Sequence, residues 1–342
     1  MSAVVLQILP STVPAGPSRN SSIAPNPLPT IDLSSNSTSE AYDTLSTAAS
    51  TTGAALITNL SIKPPIAGIQ RIFSTLYTNA SLVAHVNATY PTRGVFKAAC
   101  LDPSSNPIID QKTTIDLSVA RLQKIREADP VLVADLGQDF EDVLRFYEMV
   151  EKSILPLLMS ATSRVAGADL APMHAKRNNN LRLIDYFPAA QTSGPRCGEH
   201  RDYGTFTIVF QDGAVGGLEF DVNRKWIQVP PNVDAVVSWG WCGAILSDDS
   251  VKAAKHRVLR TQPLQKRRTA AVLFVAPDLD SVLKPVVGGN AGWLEQIMEG
   301  KLLVGQFKEV ISKKWRRREG NEEGEVVEGA QDKEVEAFVK GL

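Results

Sequence analysis

Cysteine is scarce in this sequence: Cys100, Cys197 and Cys242 are odd in number and far apart. That excludes a disulfide framework and suits a reducing compartment. Charge of one sign is also missing. The net charge is −1, so bulk electrostatics favour neither a nucleic acid nor an anionic membrane as partner. No apolar run approaches the roughly 20 residues that cross a bilayer. The N-terminus "MSAVVLQILPSTVPAG" lacks a basic start, and Gln7 interrupts its apolar segment, so it reads as a tail rather than a signal peptide. A cytoplasmic location follows as the default. The sequons at Asn20, Asn36, Asn59, Asn79 and Asn87 then read as composition in a Ser/Thr/Asn-rich N-terminal third.

What is present is enough apolar chain for a large core: 342 residues, 43% hydrophobic. After a Ser/Pro/Asn-rich start, "LPTIDLSS" and "AALITNL" read as strands. "EAYDTLSTAASTTG" reads as a helix stopping at Gly53, and "PPIAGIQRIFSTLYTN" as a second helix. The clearest helix is "FEDVLRFYEMVEKSILPLLMSATSRVAG". Phe140, Val143, Leu144, Tyr147, Val150, Ile154, Leu157 and Leu158 follow the spacing of one buried face, and Pro156 should kink it. From Leu181 the texture changes to short β-prone runs about ten residues apart, separated by Gly, Asn, Asp and Pro. That spacing predicts an antiparallel sandwich or barrel. "GWLEQIMEGKLLVGQFKEVISKKWRRR" reads as closing helices, and the acidic end from Glu319 as frayed. The basic cluster beside that acidic end reads as a solvated helix terminus rather than a nucleic-acid patch.

Within the β region, "CGEHRDYGTFTIVF" puts His200 and Asp202 one residue apart at the mouth of an apolar strand. In extended chain, residues i and i+2 face the same side, so an imidazole and a carboxylate converge there. With four histidines in the chain, such a pair arises by chance about one time in four, so it carries little alone. One more histidine would complete a 2-His-1-carboxylate facial triad, which leaves positions open on Fe(II). His85, His174 and His256 remain as candidates. His85 sits in a helical stretch and His174 in a loop. His256 lies in the β-prone run "AKHRVLR", which antiparallel folding can return beside the first strand, or where sheet hydrogen bonds alone could satisfy it.

Together these residues resemble the Fe(II)- and 2-oxoglutarate-dependent dioxygenases, in the isopenicillin N synthase-like branch. The family's H-x-D, distal H and R-x-S series is similar to His200, Asp202, His256 and an arginine at 267 or 268. "LRLIDYFP", "HRDYGTFTIVFQDGAVGGLEF", "KWIQVPP" and "SDDSVKAAKHRV" resemble the family's motifs in the family's order. "LPTIDLS" and "TTGAALITNLSI" resemble its N-terminal pieces, so the likeness covers roughly residues 28–310.

The resemblance implies a mainly β fold with flanking helices: a double-stranded β-helix (jelly-roll) core, an N-terminal α/β region and a C-terminal helix. The chain would divide into a disordered tail (1–27), an α/β region (28–135), a long core helix (136–165) and the jelly-roll domain (166–285). C-terminal helices (286–318) and an acidic flexible tail (319–342) would follow. Implied cofactors are Fe(II) on His200, Asp202 and His256, 2-oxoglutarate as co-substrate, and dioxygen. The implied reaction is hydroxylation, desaturation or cyclisation of a small organic metabolite by a monomer, with no nucleic-acid or membrane partner.

A guanidinium should grip the far carboxylate of the co-substrate through paired charge-assisted hydrogen bonds. Arg267 with Thr269 keeps the family's hydroxyl partner. The distance to Phe274 and Pro277 instead favours Arg268, with Ala270 where serine is usual. The two arginines face opposite sides of a strand, so one alone can enter the site. The family's tyrosine before proline is Phe187 here, with Tyr186 expected on the other face. Its frequent G-D is Gly240-Trp241, making "WGW" either core or a pocket wall. Two other readings stay open: an iron oxidase of the isopenicillin N synthase type that does not use 2-oxoglutarate, and a non-catalytic binding protein of the same fold.

Overall fold

Two antiparallel sheets packed face to face account for the short β-prone runs. The computed structural model describes residues 27–34, 38–89, 96–97, 112–118, 125–186, 196–213, 216–259, 267–289, 291–318 and 330–341. The first strands are β1 (Thr30–Asp32), β2 (Ala54–Thr58), β3 (Phe96–Lys97) and β4 (Thr113–Ser118). The β-rich half adds β5 (Asn179–Tyr186), β6 (Cys197–His200), β7 (Phe206–Gln211) and β8 (Leu218–Val222). After these come β9 (Lys225–Gln228), β10 (Ala235–Trp239), β11 (His256–Val258) and β12 (Arg268–Val275). The larger sheet runs β1-β2-β10-β7-β12-β5-β4-β3 and the smaller one β6-β11-β8-β9. Among the described residues only β1 and β2 pair in parallel.

Strand alternation explains why the large sheet is apolar on both faces. On β12, Ala271, Leu273 and Val275 join a core with the helices, while Ala270 and Val272 face the opposite way. There they meet Leu218, Phe220 and Val258 of the small sheet. A sheet covered on both faces needs apolar residues at odd and even positions alike. The result is the jelly-roll core.

The helical layer consists of α1 (Thr38–Ser50), α2 (Ile66–Thr78), α3 (Ala80–Thr89), α4 (Pro130–Ser153) and α5 (Leu155–Ala166). The α4 N-terminus is capped by Asp129, whose side chain accepts from the Leu132 amide at 3.0 Å, with Pro130 in the first turn. Phe140, Val143, Leu144, Tyr147, Val150, Ile154 and Leu158 are buried against the sheet, as the sequence spacing predicts. At the expected kink two helices meet at Ile154, which keeps right-handed helical dihedrals. One helix ends at Ser153 and the next begins at Leu155, because Pro156 has no N–H to continue the ladder. Gly167, at φ 71°, ends α5 in the left-handed conformation.

The C-terminal end departs from expectation. Beyond α6 (Trp241–Leu246), α7 (Glu295–Met298) and α8 (Val304–Arg318) comes an eleven-residue helix, α9 (Ala330–Lys340). Val335 and Val339 of α9 are buried with Phe307, Trp293 and Leu246 in a third cluster. The expectation of a flexible acidic tail over 319–342 therefore fails for 330–340. Residues 319–329 and 1–26 lie outside the described residues. Among the described residues, no helix is long and apolar enough to cross a membrane.

Candidate active site

Strand pairing builds the histidine–carboxylate cluster. β11 runs antiparallel to β6 with His256 directly opposite His200. His200 ends β6 in the small sheet, and Asp202 lies in the connection that crosses to β7 in the large one. The H-x-D pair thus bridges the two sheets rather than sitting within one strand. Its atoms converge: Nε2 of His200 is 3.5 Å from Asp202 Oδ1, and Nε2 of His256 is 3.8 Å from Oδ2. One ligand atom from each of the three lies within 4.8 Å of the others, and all three residues are buried. His256 also stacks against Phe220, which belongs to the core between the sheets.

Backbone carbonyls fix the imidazole orientation. Nδ1 of His200 donates to the Gly198 carbonyl at 2.7 Å, and Nδ1 of His256 to the Ala254 carbonyl at 3.3 Å. Both Nε2 lone pairs are left for a cation, the arrangement in which outer partners orient metal ligands. The Thr207 hydroxyl donates to Asp202 Oδ2 at 2.6 Å. Burial, then the neighbouring His256, pushes His200 down to about 4, so it is a neutral donor at neutral pH. Burial alone would raise Asp202. His256, His200 and the Thr207 hydroxyl more than offset this, leaving it an anion well below the usual carboxylate range. Two imidazole ring nitrogens and one carboxylate, buried together, fit a divalent transition metal such as Fe(II).

The connection carrying Asp202 is pinned from behind. Trp241 N donates to the Asp202 carbonyl at 2.9 Å. A Cβ on Gly240 would lie 2.6 Å from the carbonyl oxygens of Asp202 and Gly204, so only glycine permits this approach. The "WGW" tryptophans are both core. Trp239 is buried against the helices and donates to Thr162 Oγ1 at 2.8 Å, while Trp241 packs with α6, α7 and α8.

The arginines separate by face. Arg267 makes two bonds to Asp185, at 2.7 and 2.9 Å, and donates to the Gln70 carbonyl of α2. Thr269 accepts from Gln70 Nε2 at 3.0 Å. Both therefore point to the helical layer, which removes Arg267 and Thr269 from the expected co-substrate contacts. Arg268 faces the space between the sheets, 4% exposed, with its guanidinium 4.7 Å from the Tyr186 ring centre. Among the described residues its Nε and Nη1 have no hydrogen-bond partner, and Nη2 reaches Gln211 Oε1 only at 3.5 Å. A buried guanidinium in that state is incomplete without an anion. Tyr186, expected on the other face, is buried in the inter-sheet core; Phe187 lies outside the described residues.

The other two histidines are occupied elsewhere. His85 meets Asp129 at 2.9 Å, and His174 bridges the Leu170 carbonyl and Thr205 Oγ1, each at 2.8 Å. Sequence reasoning missed Thr207, whose one visible signal was a hydroxyl at the second position of an otherwise apolar strand. It also missed Arg201, a surface charge by composition, whose guanidinium meets the Ala253 carbonyl and Glu336.

Comparison with known proteins gives a family match. Residues 177–277 match the family model of the 2OG-Fe(II) oxygenase superfamily. A 1-aminocyclopropane-1-carboxylate oxidase from Musa acuminata is 26% identical over 186 residues, 51% of this chain and 60% of that protein. Gibberellin 20 oxidase 1-B from Triticum aestivum is 29% identical over 177 residues, 46% of each. The chain thus spans about half the length of the curated relatives it matches. The fold extends further. The 2-oxoglutarate complex of the Arabidopsis thaliana dioxygenase for auxin oxidation 1 superposes with TM-score 0.61 at 18% identity, covering 76% of this chain and 96% of that one. The matched segment runs from just before β5 to just past β12, so the part of the chain that carries His200, Asp202, His256 and Arg268 is the part similar to the 2OG-Fe(II) oxygenase superfamily.

Proposed function

We propose that this protein is an Fe(II)- and 2-oxoglutarate-dependent oxygenase that oxidises a small organic molecule. His200, Asp202 and His256 are the metal ligands, and Arg268 alone holds the far carboxylate of 2-oxoglutarate. The observation that carries the reading is the buried Arg268 guanidinium, with two unpartnered nitrogens, facing the same inter-sheet space that His256 borders. It fits 2-oxoglutarate use, because the far carboxylate of that co-substrate supplies an anion for the buried cation.

When bound, Fe(II) and 2-oxoglutarate supply oxidation by dioxygen, with carbon dioxide and succinate as co-products. The chain's own residues do the rest. Gly198 and Ala254 carbonyls hold the ligand tautomers, Thr207 holds one carboxylate oxygen of Asp202, and the apolar inter-sheet residues exclude water from the oxidant. Three protein ligands leave coordination positions for co-substrate and dioxygen.

In this reading residues 166–285 form the catalytic jelly roll, and 28–135 with the long helix buttress its large sheet. The molecules named for the relatives, 1-aminocyclopropane-1-carboxylate, gibberellin and auxin, are all small and organic, and the substrate here is assigned to that broad class. Anaerobic titration with Fe(II) and 2-oxoglutarate should give a metal-to-ligand charge-transfer band in the visible. Absence of the band with both bound would refute the co-substrate assignment, as would substrate oxidation without succinate release.

A further inference from the structure

We propose that the C-terminal helix α9 clamps the metal-binding loop from outside, through the Glu336–Arg201 ion pair. The proposal rests on the reading of His200, Asp202 and His256 as metal ligands. Arg201 lies between two of them in sequence, and its side chain leaves the site on the opposite side. Its Nε donates to the Ala253 carbonyl at 3.1 Å and its Nη1 to Glu336 Oε1 at 2.9 Å. The guanidinium lies 5.4 Å from the Trp241 ring centre.

Each of these contacts leads back to a ligand. Ala253 adjoins Ala254, whose carbonyl holds His256 Nδ1 and whose amide is tied to the Trp239 carbonyl at 2.9 Å. Trp241 holds the Asp202 carbonyl through its own amide. One guanidinium therefore spans the loop bearing His200 and Asp202 and the segment entering His256. The separation of those two chain segments sets the ligand geometry. Glu336 is the charge that fixes the guanidinium there. Both side chains are partly buried, with 23% and 33% exposure, which shields the pair more than an open surface would.

Docking makes α9 more than an end. Eleven residues are too few for a helix stable alone, so α9 forms by burying Val335 and Val339. Val339 accepts from the Leu294 amide at 2.8 Å, and Lys340 pairs with Asp249 at 2.5 Å. Presentation of Glu336 thus depends on docking. By linkage, a helix that improves the metal site must itself be held more firmly when metal is bound. Within the clamp, α9 and Glu336 lie beyond residue 277, where the family match ends.

The test uses the full chain, stripped of metal and titrated anaerobically with Co(II), read by its visible absorption. Glu336→Gln should weaken Co(II) binding about tenfold, the lower end of what partners behind ligands contribute. Arg201→Gln should weaken it at least as much, and the double variant no more than Arg201→Gln alone, because both remove one linkage. Hydrogen exchange supplies a readout that a purely structural pair would not move. Co(II) should slow exchange of the 330–340 amides in the wild type, and in Glu336→Gln this protection should largely vanish. Wild-type Co(II) affinity in Glu336→Gln, or no metal-dependent protection of α9, overturns the clamp alone. A wild type that fails to bind Co(II), or that loses nothing on His200→Ala, overturns the ligand reading and the clamp together.

Discussion

Arg267 and Arg268 are neighbours whose side chains live in different surroundings, and substitution should separate them cleanly. Arg268→Met removes a buried cation facing the inter-sheet space. It should raise the Kd for 2-oxoglutarate by about 30-fold or more, the ~2 kcal/mol lower bound for truncating one partner of a buried charged pair. Among the described residues, Arg267→Met leaves the fully buried Asp185 with the Tyr77 hydroxyl as its one side-chain partner. It should cost about 3 kcal/mol of stability while leaving 2-oxoglutarate affinity near wild type. Titration calorimetry and urea denaturation distinguish the two. Thr207→Val keeps the shape and deletes the hydroxyl bonded to Asp202 Oδ2. Co(II) titration should show affinity lower by about tenfold, with the strand itself intact. Residue chemistry alone could nominate both arginines, but not choose. The choice depends on Gln70 and Asp185, which approach from α2 and β5 across long sequence separations.

At the scale of elements, the metal cluster was legible because it follows from strand geometry. An imidazole and a carboxylate at i and i+2 with a β-prone histidine later in the chain become neighbours once β11 pairs with β6. The helix α4 was legible for the same reason, its period being carried by large apolar residues. The clamp was not. Glu336 and Arg201 lie far apart in sequence, and the segment around Glu336 reads as acidic. Composition counts its charges and overlooks Val335, Phe338 and Val339 at helical spacing. The turn between β10 and α6 was visible only as a departure from the family's G-D. Its reason is steric: Gly240 lets two carbonyls approach within what a Cβ would occupy. Gly240→Ala should therefore push the Asp202 connection away, costing about 1–3 kcal/mol in urea denaturation and weakening Co(II) binding in the same variant.

For the whole molecule, the two buried neutral imidazoles make acid stability a property of the fold. Burial lowers His174, with the Leu170 carbonyl and Asp278 opposing, and burial with His256 lowers His200 to about 4. Each therefore binds a proton more readily when the chain is unfolded, where its value is near 6.5. Stability contributed by these groups is fully present above about 6.5 and declines as the pH falls from there towards the folded-state values. In metal-free protein the loss from His200 should be about 1 kcal/mol between pH 6.5 and 5.5, and His174 adds to it in the same direction. Asp202, depressed rather than raised, adds its own loss only below its ordinary value of 3.8. Urea midpoints at pH 7.5 and 5.5 measure this directly. His174→Gln, which retains polar atoms for Leu170 and Thr205, should lose less stability on acidification than wild type, because one of the two proton-binding sites is gone. Saturating Co(II) should reduce the remaining slope near pH 6, since a ligated His200 stays neutral while the metal is bound. An equal slope in wild type and His174→Gln would show that the buried imidazole at the Leu170–Thr205 junction does not govern acid sensitivity.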